Sequence, residues 1–533
     1  MGSIIKDFNL SIYRNKNLAA PLTGIFYYFS LEKVIKIKIL ARSTSHSFER
    51  TYNNPKENIE IPIIGFRFDN TYELEVWTTF ENNSIIKNYF NLITPEKPSE
   101  NEEFPQLQIY SKPDKMEKGW IMFNPRRQIP SNLNEKERLS INEAALNYGL
   151  LIVVDESGNI VWFYKTNSRL TYCTIKDDKI YYGTAANIIY EIDYLGNILT
   201  SWHPKNRPSG KEFPLNSIPV EAQTFHHQFL ILENGNILAL STEERLIENF
   251  FTSEDDANSP KATQYVIGDE IVEFTRSGNI VWRWNTFDYL DLNRIGYETF
   301  VKYWGRRGYN PDARDWTHFN GLFNLSDEDS VLVNSRTQSA VYKINKKSGK
   351  ILWIFGNHEG FNNTDQKKMF KLLKGNWPWQ QHSPYITKSG NLALFNNDNY
   401  RALPFNKMVQ PKDINSRAVI FELDEINMTA KQIWDGSCIS TEKICSTAMG
   451  SLEPLKENNI LVNYGMLLDN RYISEMTWNT REKYPTWTMI QEVSLMYPSE
   501  VVFELKVIPS KDSSIGWQSF GAIKIYKIPG KVY

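Results

Sequence analysis

The chain has seven histidines, His46, His203, His226, His227, His318, His358 and His382, and the spacing of three of them is the first sign of chemistry. His227, in Phe-His-His-Gln-Phe-Leu-Ile, stands nine residues before Asn236, and His382, in Gln-His-Ser-Pro-Tyr-Ile, stands nine before Asn391. His318, in Thr-His-Phe-Asn-Gly-Leu, stands 12 before Ser330, with the extra residues in a Ser-Asp-Glu-Asp turn. All three therefore enter a β-like run from the same side, and Asn334-Ser-Arg336 and Asn396-Asn-Asp-Asn-Tyr-Arg401 close the following runs on that side. A lone histidine at a strand start is a framework residue, which is the reading for His46, His203 and His358. Three at one repeat position, with Arg336 beside them, make an anion site, which His226 supports or borders. Three imidazoles around one axis also suit zinc or iron in a metal-dependent hydrolase, although Arg336 would repel a divalent cation. In a propeller that only binds a ligand, the histidines would be replaceable.

The elements that must position these groups are hairpins. Asp155-Glu-Ser-Gly-Asn-Ile-Val-Trp162, Asp193-Tyr-Leu-Gly-Asn-Ile-Leu-Thr-Ser-Trp202, Thr275-Arg-Ser-Gly-Asn-Ile-Val-Trp282 and Lys346-Lys-Ser-Gly-Lys-Ile-Leu-Trp353 are copies of one turn. Glu233-Asn-Gly-Asn-Ile-Leu-Ala-Leu, Lys388-Ser-Gly-Asn-Leu-Ala-Leu-Phe and Glu457-Asn-Asn-Ile-Leu-Val are copies of another, interleaved with the first. Two alternating hairpins per unit mean four antiparallel strands per unit. The predicted fold is all-β: a six-bladed propeller over 99–533, with insertions at 243–270, 287–312 and 397–416 and tryptophans packed between blades. A Pro- and Glu-rich linker, Thr94 to Pro105, sets it off from an N-terminal β-sandwich over 1–98. One helix is expected, from Asn134 to Tyr148. Trp377-Pro-Trp379 serves either an aromatic pocket or core packing.

With 60 Lys+Arg against 62 Asp+Glu, the charge of −2 gives no field for nucleic acid or an anionic membrane. No apolar run is long enough for a membrane helix. The start, Met1-Gly2-Ser3, has no signal peptide, and one removed in cloning would leave such a start. Cys173 reads as core, while Cys438 and Cys445 either close a short loop, worth roughly 2–3 kcal/mol if oxidised, or stand as reduced thiols. No phosphate-cradling Gly-x-x-x-x-Gly-Lys-Ser/Thr occurs.

Several stretches together resemble the bacterial arylsulfate sulfotransferases that work without phosphoadenosine phosphosulfate. They are Ala19-Ala-Pro-Leu-Thr-Gly, His226-His227 ahead of Glu-Asn-Gly-Asn, Asp315-Trp-Thr-His318-Phe-Asn320, Ser335-Arg336-Thr-Gln-Ser-Ala-Val-Tyr-Lys-Ile, and Gln381-His382-Ser-Pro followed by Leu-Phe-Asn-Asn-Asp. The resemblance implies a sulfotransferase moving a sulfuryl group from an aryl sulfate to a phenol by ping-pong chemistry. His382 would be the sulfated nucleophile, His227, His318, Asn320 and Arg336 would hold the sulfuryl group, and Thr447 would add a hydroxyl; Arg401, at the same mouth, is a further candidate substrate ligand. It implies small-molecule partners only, no cofactor or metal, a periplasmic location, and it admits a homodimer. The chain departs from that family in its signal-free start and in lacking a disulfide ahead of the nucleophile. Sulfuryl transfer spreads negative charge over non-bridging oxygens and the leaving phenolate, so preorganised donors are the main lever. A neutral imidazole is a competent nucleophile.

Overall fold

The computed structural model describes residues 8–99, 104–128, 145–206, 213–439, 442–509 and 515–533. The fold is all-β, with only single-turn helical segments among the described residues. The helix expected from Asn134 to Tyr148 lies mostly outside them.

Downstream of residue 105 the strands form six sheets of four or five strands in chain order, with a two-stranded pair, Lys527–Ile528 and Lys531–Val532, after them. Their inner strands are Gly516–Ile525, Leu170–Lys176, His226–Ile231, Phe319–Leu325, His382–Ile386 and Ser451–Pro454. Each packs on the next, and the last returns to the first, so the inner strands surround an axis. The first sheet joins the C-terminal Gly516–Ile525 to Trp120–Gln128, and the last takes Gln106–Ser111 onto its outer edge. Both ends of the chain thus lock the ring. At that seam Lys524 Nζ lies 2.8 Å from Glu492 Oε2, both fully buried. Glu492 Oε1 also accepts from Glu117 N at 2.6 Å and Asn459 Nδ2 at 2.7 Å.

The hairpin copies fold as their sequence dictates. Asp155 Oδ1 accepts from Ser157 N and Asn159 N, and Asp193 Oδ1 from Leu195 N and Asn197 N. Gly158 and Gly196 take φ near +80°, which glycine adopts without Cβ strain. The tryptophans after these turns tie neighbouring sheets together. Trp162 Nε1 donates to Tyr194 O, Trp202 Nε1 to Arg276 O and Trp282 Nε1 to Lys346 O, each in the equivalent turn of the next sheet. Apolar side chains such as Phe229, Val272, Phe319, Tyr342 and Phe421 fill the spaces between sheets.

One of the expected insertions extends the strands of its sheet. The stretch 243–270 is not a loop: it continues the strands Ile237–Phe250 and Ala262–Phe274 as a long antiparallel ribbon. That ribbon pairs in parallel with Arg314–Asp315, through Val266 and Ile267. Upstream, a three-stranded and a four-stranded sheet cover residues 8–93. Their core, including Phe26, Ile39, Tyr72 and Val76, is continuous with Phe123, Ile152 and Phe503 of the ring.

Removing one partner of a buried ion pair leaves an uncompensated charge and costs about 3–5 kcal/mol. Lys524→Met is therefore expected to lower the unfolding midpoint in urea sharply. Adding Glu492→Gln is expected to recover much of the loss, whereas additive losses in the double variant would show that the seam does not depend on the pair.

Candidate functional site

The inner strands of three successive sheets start with an irregularity at the same level. The register shifts between His226 and Phe229, between Phe319 and Gly321, and between His382 and Tyr385. His227, His318 and Ser383 sit there at positive φ, 51°, 43° and 55°. Bulges re-aim side chains, and here they turn imidazoles toward the axis. The pairing refines the spacing argument: His382 pairs with Phe395 and His226 with Leu240, so His226 is the register counterpart of His382. The wider bulge of the third sheet carries His227 to His318, with ring centroids 4.7 Å apart.

Each ring is held by a different partner. Asn397 Nδ2 donates to Ser446 O and Met449 O, both at 2.9 Å, which fixes its amide with Oδ1 toward His382. That oxygen lies 2.7 Å from His382 Nδ1, so Nδ1 carries the hydrogen and Nε2 the lone pair. Burial, Arg336 and His318 hold the His382 pKa down, to about 3. His318 Nδ1 meets Asp315 Oδ2 at 2.5 Å, and Asp315 Oδ1 accepts from Trp304 Nε1 at 2.8 Å. An Asp–His pair of this kind directs Nε2 outward and supports positive charge on the ring. His226 bridges His227 Nδ1, at 2.7 Å, to Ser241 O and Asp269, and so braces the His227 ring from behind. His227 is pushed well below the usual imidazole range by burial and then by His318, His226, His382 and Arg307.

Arg336 follows the second strand of the fourth sheet, and its backbone N donates to His318 O. Its guanidinium is buried, paired with Glu298 and bonded to Thr447 O at 3.3 Å. Glu298 also binds Arg481 and the Tyr400 hydroxyl, and the two arginines hold its carboxyl down to about 2 against burial. Arg336 Nε and Thr447 Oγ1 are buried without a protein partner. Buried donors left open beside a cationic group are what an oxyanion would occupy. Below the histidines, a cavity of about 630 Å³ is lined by Tyr172, Gln228, Asn320, Ser383 and Phe520 among others.

The structure thus brings together His227, His318, Arg336, His382 and Thr447. It places two other expected ligands differently. Asn320 Oδ1 accepts from Asn334 Nδ2 and its Nδ2 donates to Gln381 O at 3.1 Å, tying the fourth sheet to the residue before His382. Arg401 forks onto Asp398 and Asp413 O at the partly exposed edge. His46, His203 and His358 are framework residues bonded to Tyr72, Ser217 and Phe370 O. Trp377 packs on Phe355 and His358. Cys173 is buried, and Cys438 and Cys445 stand as separate thiols. Sequence reasoning missed Asn397, Glu298 and Asp315 as partners, although all lie in or beside the insertions and the Asp-Trp-Thr-His motif. Among the described residues, no three His, Cys, Asp or Glu side chains are grouped to hold a metal ion.

The sequence profile of the arylsulfotransferase (ASST) family matches residues 108–512, most of the chain. The chain belongs to that family. Arylsulfate sulfotransferase AssT of Lelliottia amnigena is 23% identical over 286 residues, covering 46% of this chain and 43% of that protein. The AssT of Escherichia coli O6:H1 (strain CFT073) is 24% identical over 210 residues, 32% of this chain and 34% of that protein. The match to each curated relative spans less than half its length. Among solved structures, a Bacteroides caccae protein of unknown function superposes with a TM-score of 0.39 at 11% identity, over 77% of this chain and all of that one. An overlap at that level says less about the fold than the strand order of the six sheets does.

With its pKa near 3, His382 is expected to stay neutral and protonated on Nδ1 from pH 8 to pH 5, as read by ¹⁵N shifts of its ring. A group whose folded pKa lies below the ordinary imidazole value takes up its proton only at correspondingly lower pH. Titration near 6.5, the unperturbed value, would show that burial and the neighbouring cations do not govern the ring. In Asn397→Leu the Nδ1–H preference is expected to disappear.

Proposed function

We propose that the chain is an aryl-sulfate sulfotransferase that moves a sulfuryl group from a phenolic sulfate ester to a phenol without a nucleotide donor. The supporting observation is the Asn397 amide, which leaves the His382 Nε2 lone pair unprotonated in a mouth lined by open anion donors. Family membership and the name of the AssT relatives point the same way.

In the first half-reaction, Nε2 of His382 attacks sulfur and the bond from sulfur to the aryl oxygen breaks. The departing phenolate takes a proton from His318, whose ring Asp315 supports. The product is an N-sulfated imidazolium whose Nδ1–H remains on Asn397. In the second half, an acceptor phenol gives its proton to His318, its oxygen attacks sulfur, and the N–S bond breaks to restore neutral His382. Arg336 Nε and the Thr447 hydroxyl are read as donors to the sulfuryl oxygens, where charge accumulates. Asn320 is read as a positioning residue through Gln381. The six sheets are read as the blades of a six-bladed propeller, with a β-sandwich domain over 1–98 and the catalytic domain over 99–533. A periplasmic location accords with the family resemblance.

The metal-hydrolase reading is less favoured because the His382 and His318 Nδ1 atoms are already taken by Asn397 and Asp315, and Arg336 flanks the remaining lone pair.

Purified protein, with neither nucleotide nor metal added, is expected to transfer sulfate from phenyl sulfate to a second phenol with parallel double-reciprocal plots. Under non-acidic conditions, peptide mapping is expected to place the trapped group on His382 and to find none in His382→Ala; a label on His227 or His318 would overturn the assignment. Asp315→Asn should slow labelling by about 10²-fold or more with phenyl sulfate, and far less with 4-nitrophenyl sulfate, whose leaving group needs no proton.

A further inference from the structure

Beside the histidines lies a second group of cations that the transfer chemistry does not use. Arg126 stands near the end of Trp120–Gln128, the second strand of the first sheet, as Arg336 stands at the end of the second strand of the fourth. Arg169 directly precedes Leu170–Lys176, the inner strand of the second sheet, whose Leu170–Cys173 irregularity matches those at the histidines. Arg307 closes a 3₁₀ turn in the 287–312 insertion.

Their bonds are few and neutral. Arg126 donates to Leu170 O at 3.4 Å and to Met449 Sδ at 2.9 Å, and its buried Nε has no partner. Arg169 donates to Gln518 Oε1 at 3.0 Å, and Arg307 to Tyr303 O at 3.0 Å. Among the described residues, none of the three is bonded to a carboxylate, whereas Arg336 and Arg481 share Glu298. Burial and the neighbouring guanidiniums hold Arg126 well below the ordinary arginine range and Arg169 down to about 10. Arginine keeps its proton in proteins, so an anion from outside would relieve this repulsion.

Aromatic rings join this group to the sulfuryl site. Tyr303 carries Arg307 at 4.0 Å from its ring, and its centroid lies 4.9 Å from His318 and 6.1 Å from His227. Phe520 lies 5.8 Å from His227, and Gln518, the Arg169 partner, is on the same strand. The His227 ring thus lies against both Tyr303 and Phe520, and through these two aromatics the arginines border the imidazole cluster.

We propose that Arg126, Arg169 and Arg307 form a second anion subsite, and that the preferred substrates are phenols and phenolic sulfates whose ring carries a carboxylate away from the reacting oxygen. Planar guanidinium forks suit a carboxylate. This inference rests on the transfer reading for its substrate class, and on the arginines alone for its site.

The test compares 4-(carboxymethyl)phenyl sulfate with its neutral carboxamide, which differs in charge but hardly in size. The wild-type protein is expected to favour the acid at least tenfold in kcat/KM. That ratio should collapse toward one in Arg126→Gln and Arg169→Gln. Arg307→Gln, on the insertion rather than beside a sheet strand, serves where either of the other variants fails to fold. A wild-type ratio near one, or a ratio that survives every soluble variant, overturns the proposal. If neither donor is cleaved, the transfer reading fails, and equilibrium binding decides the subsite separately. Tighter binding of 4-hydroxyphenylacetate than of 4-hydroxyphenylacetamide, lost in the same variants, supports it; equal binding overturns it.

Discussion

The site depends on one hydrogen bond, from His382 Nδ1–H to Asn397 Oδ1. An imidazole next to a guanidinium has two failure modes: it can present N–H instead of a lone pair, or it can be pulled into another orientation. Asn397 prevents both because its own amide cannot flip without losing two carbonyl acceptors, Ser446 O and Met449 O. Those carbonyls belong to the segment leading into the sixth sheet, while Asn397 follows the second strand of the fifth. The tautomer of one ring is thus set by the seating of two adjacent sheets. A ring closed at both chain ends, with Lys524 buried against Glu492, keeps that seating fixed.

The backbone shares in this arrangement. His227 and His318 adopt positive φ, which residues with a Cβ reach only at a cost of roughly 1–3 kcal/mol each. Such strain persists only where the surroundings over-determine the conformation, and here it falls at the mouth of the inner strands. The bulges let a strand whose side chains would alternate between two packed faces turn an imidazole into the axial opening instead.

Much of the architecture was legible because its signals are local. A glycine at φ near +80° after an Asp or Thr that caps its own turn, followed by a β-branched run and a tryptophan, is written in consecutive residues. The three histidines were legible because the repeats count them into place, although counting equated His227 with His382 where the pairing equates His226. That slip comes from one more residue in the third sheet's bulge, which sequence spacing cannot separate from a longer turn. The partners were not legible. Asn397, Glu298 and Asp315 lie in or beside the connections that break the repeat, and only the folded chain tells an Asp or Asn that holds an imidazole from one that caps a turn. Arg401, expected as a substrate ligand, is instead taken by Asp398, three residues earlier. Asn320 lines the cavity, yet its amide is bonded to Asn334 and Gln381 O.

The electrostatics of the mouth follow from its imbalance. Glu298 answers only one of the charges of Arg336 and Arg481, and no described carboxylate is bonded to Arg126, Arg169 or Arg307. In this field His227 and His382 resist protonation. On the proposed reading a sulfate ester changes that balance, because its negative charge enters among His227, His318 and Arg336 and opposes the repulsions that hold His227 below the ordinary imidazole range. Binding the anion and taking up a proton are therefore linked, each favouring the other by the same free energy. The His227 and His318 rings meet edge to face with centroids 4.7 Å apart, so each feels charge placed on the other. His382, tied to a neutral amide rather than a carboxylate, is held down to about 3 and keeps its Nε2 lone pair. On the proposed reading this is what sets it apart from the other two histidines of the repeat.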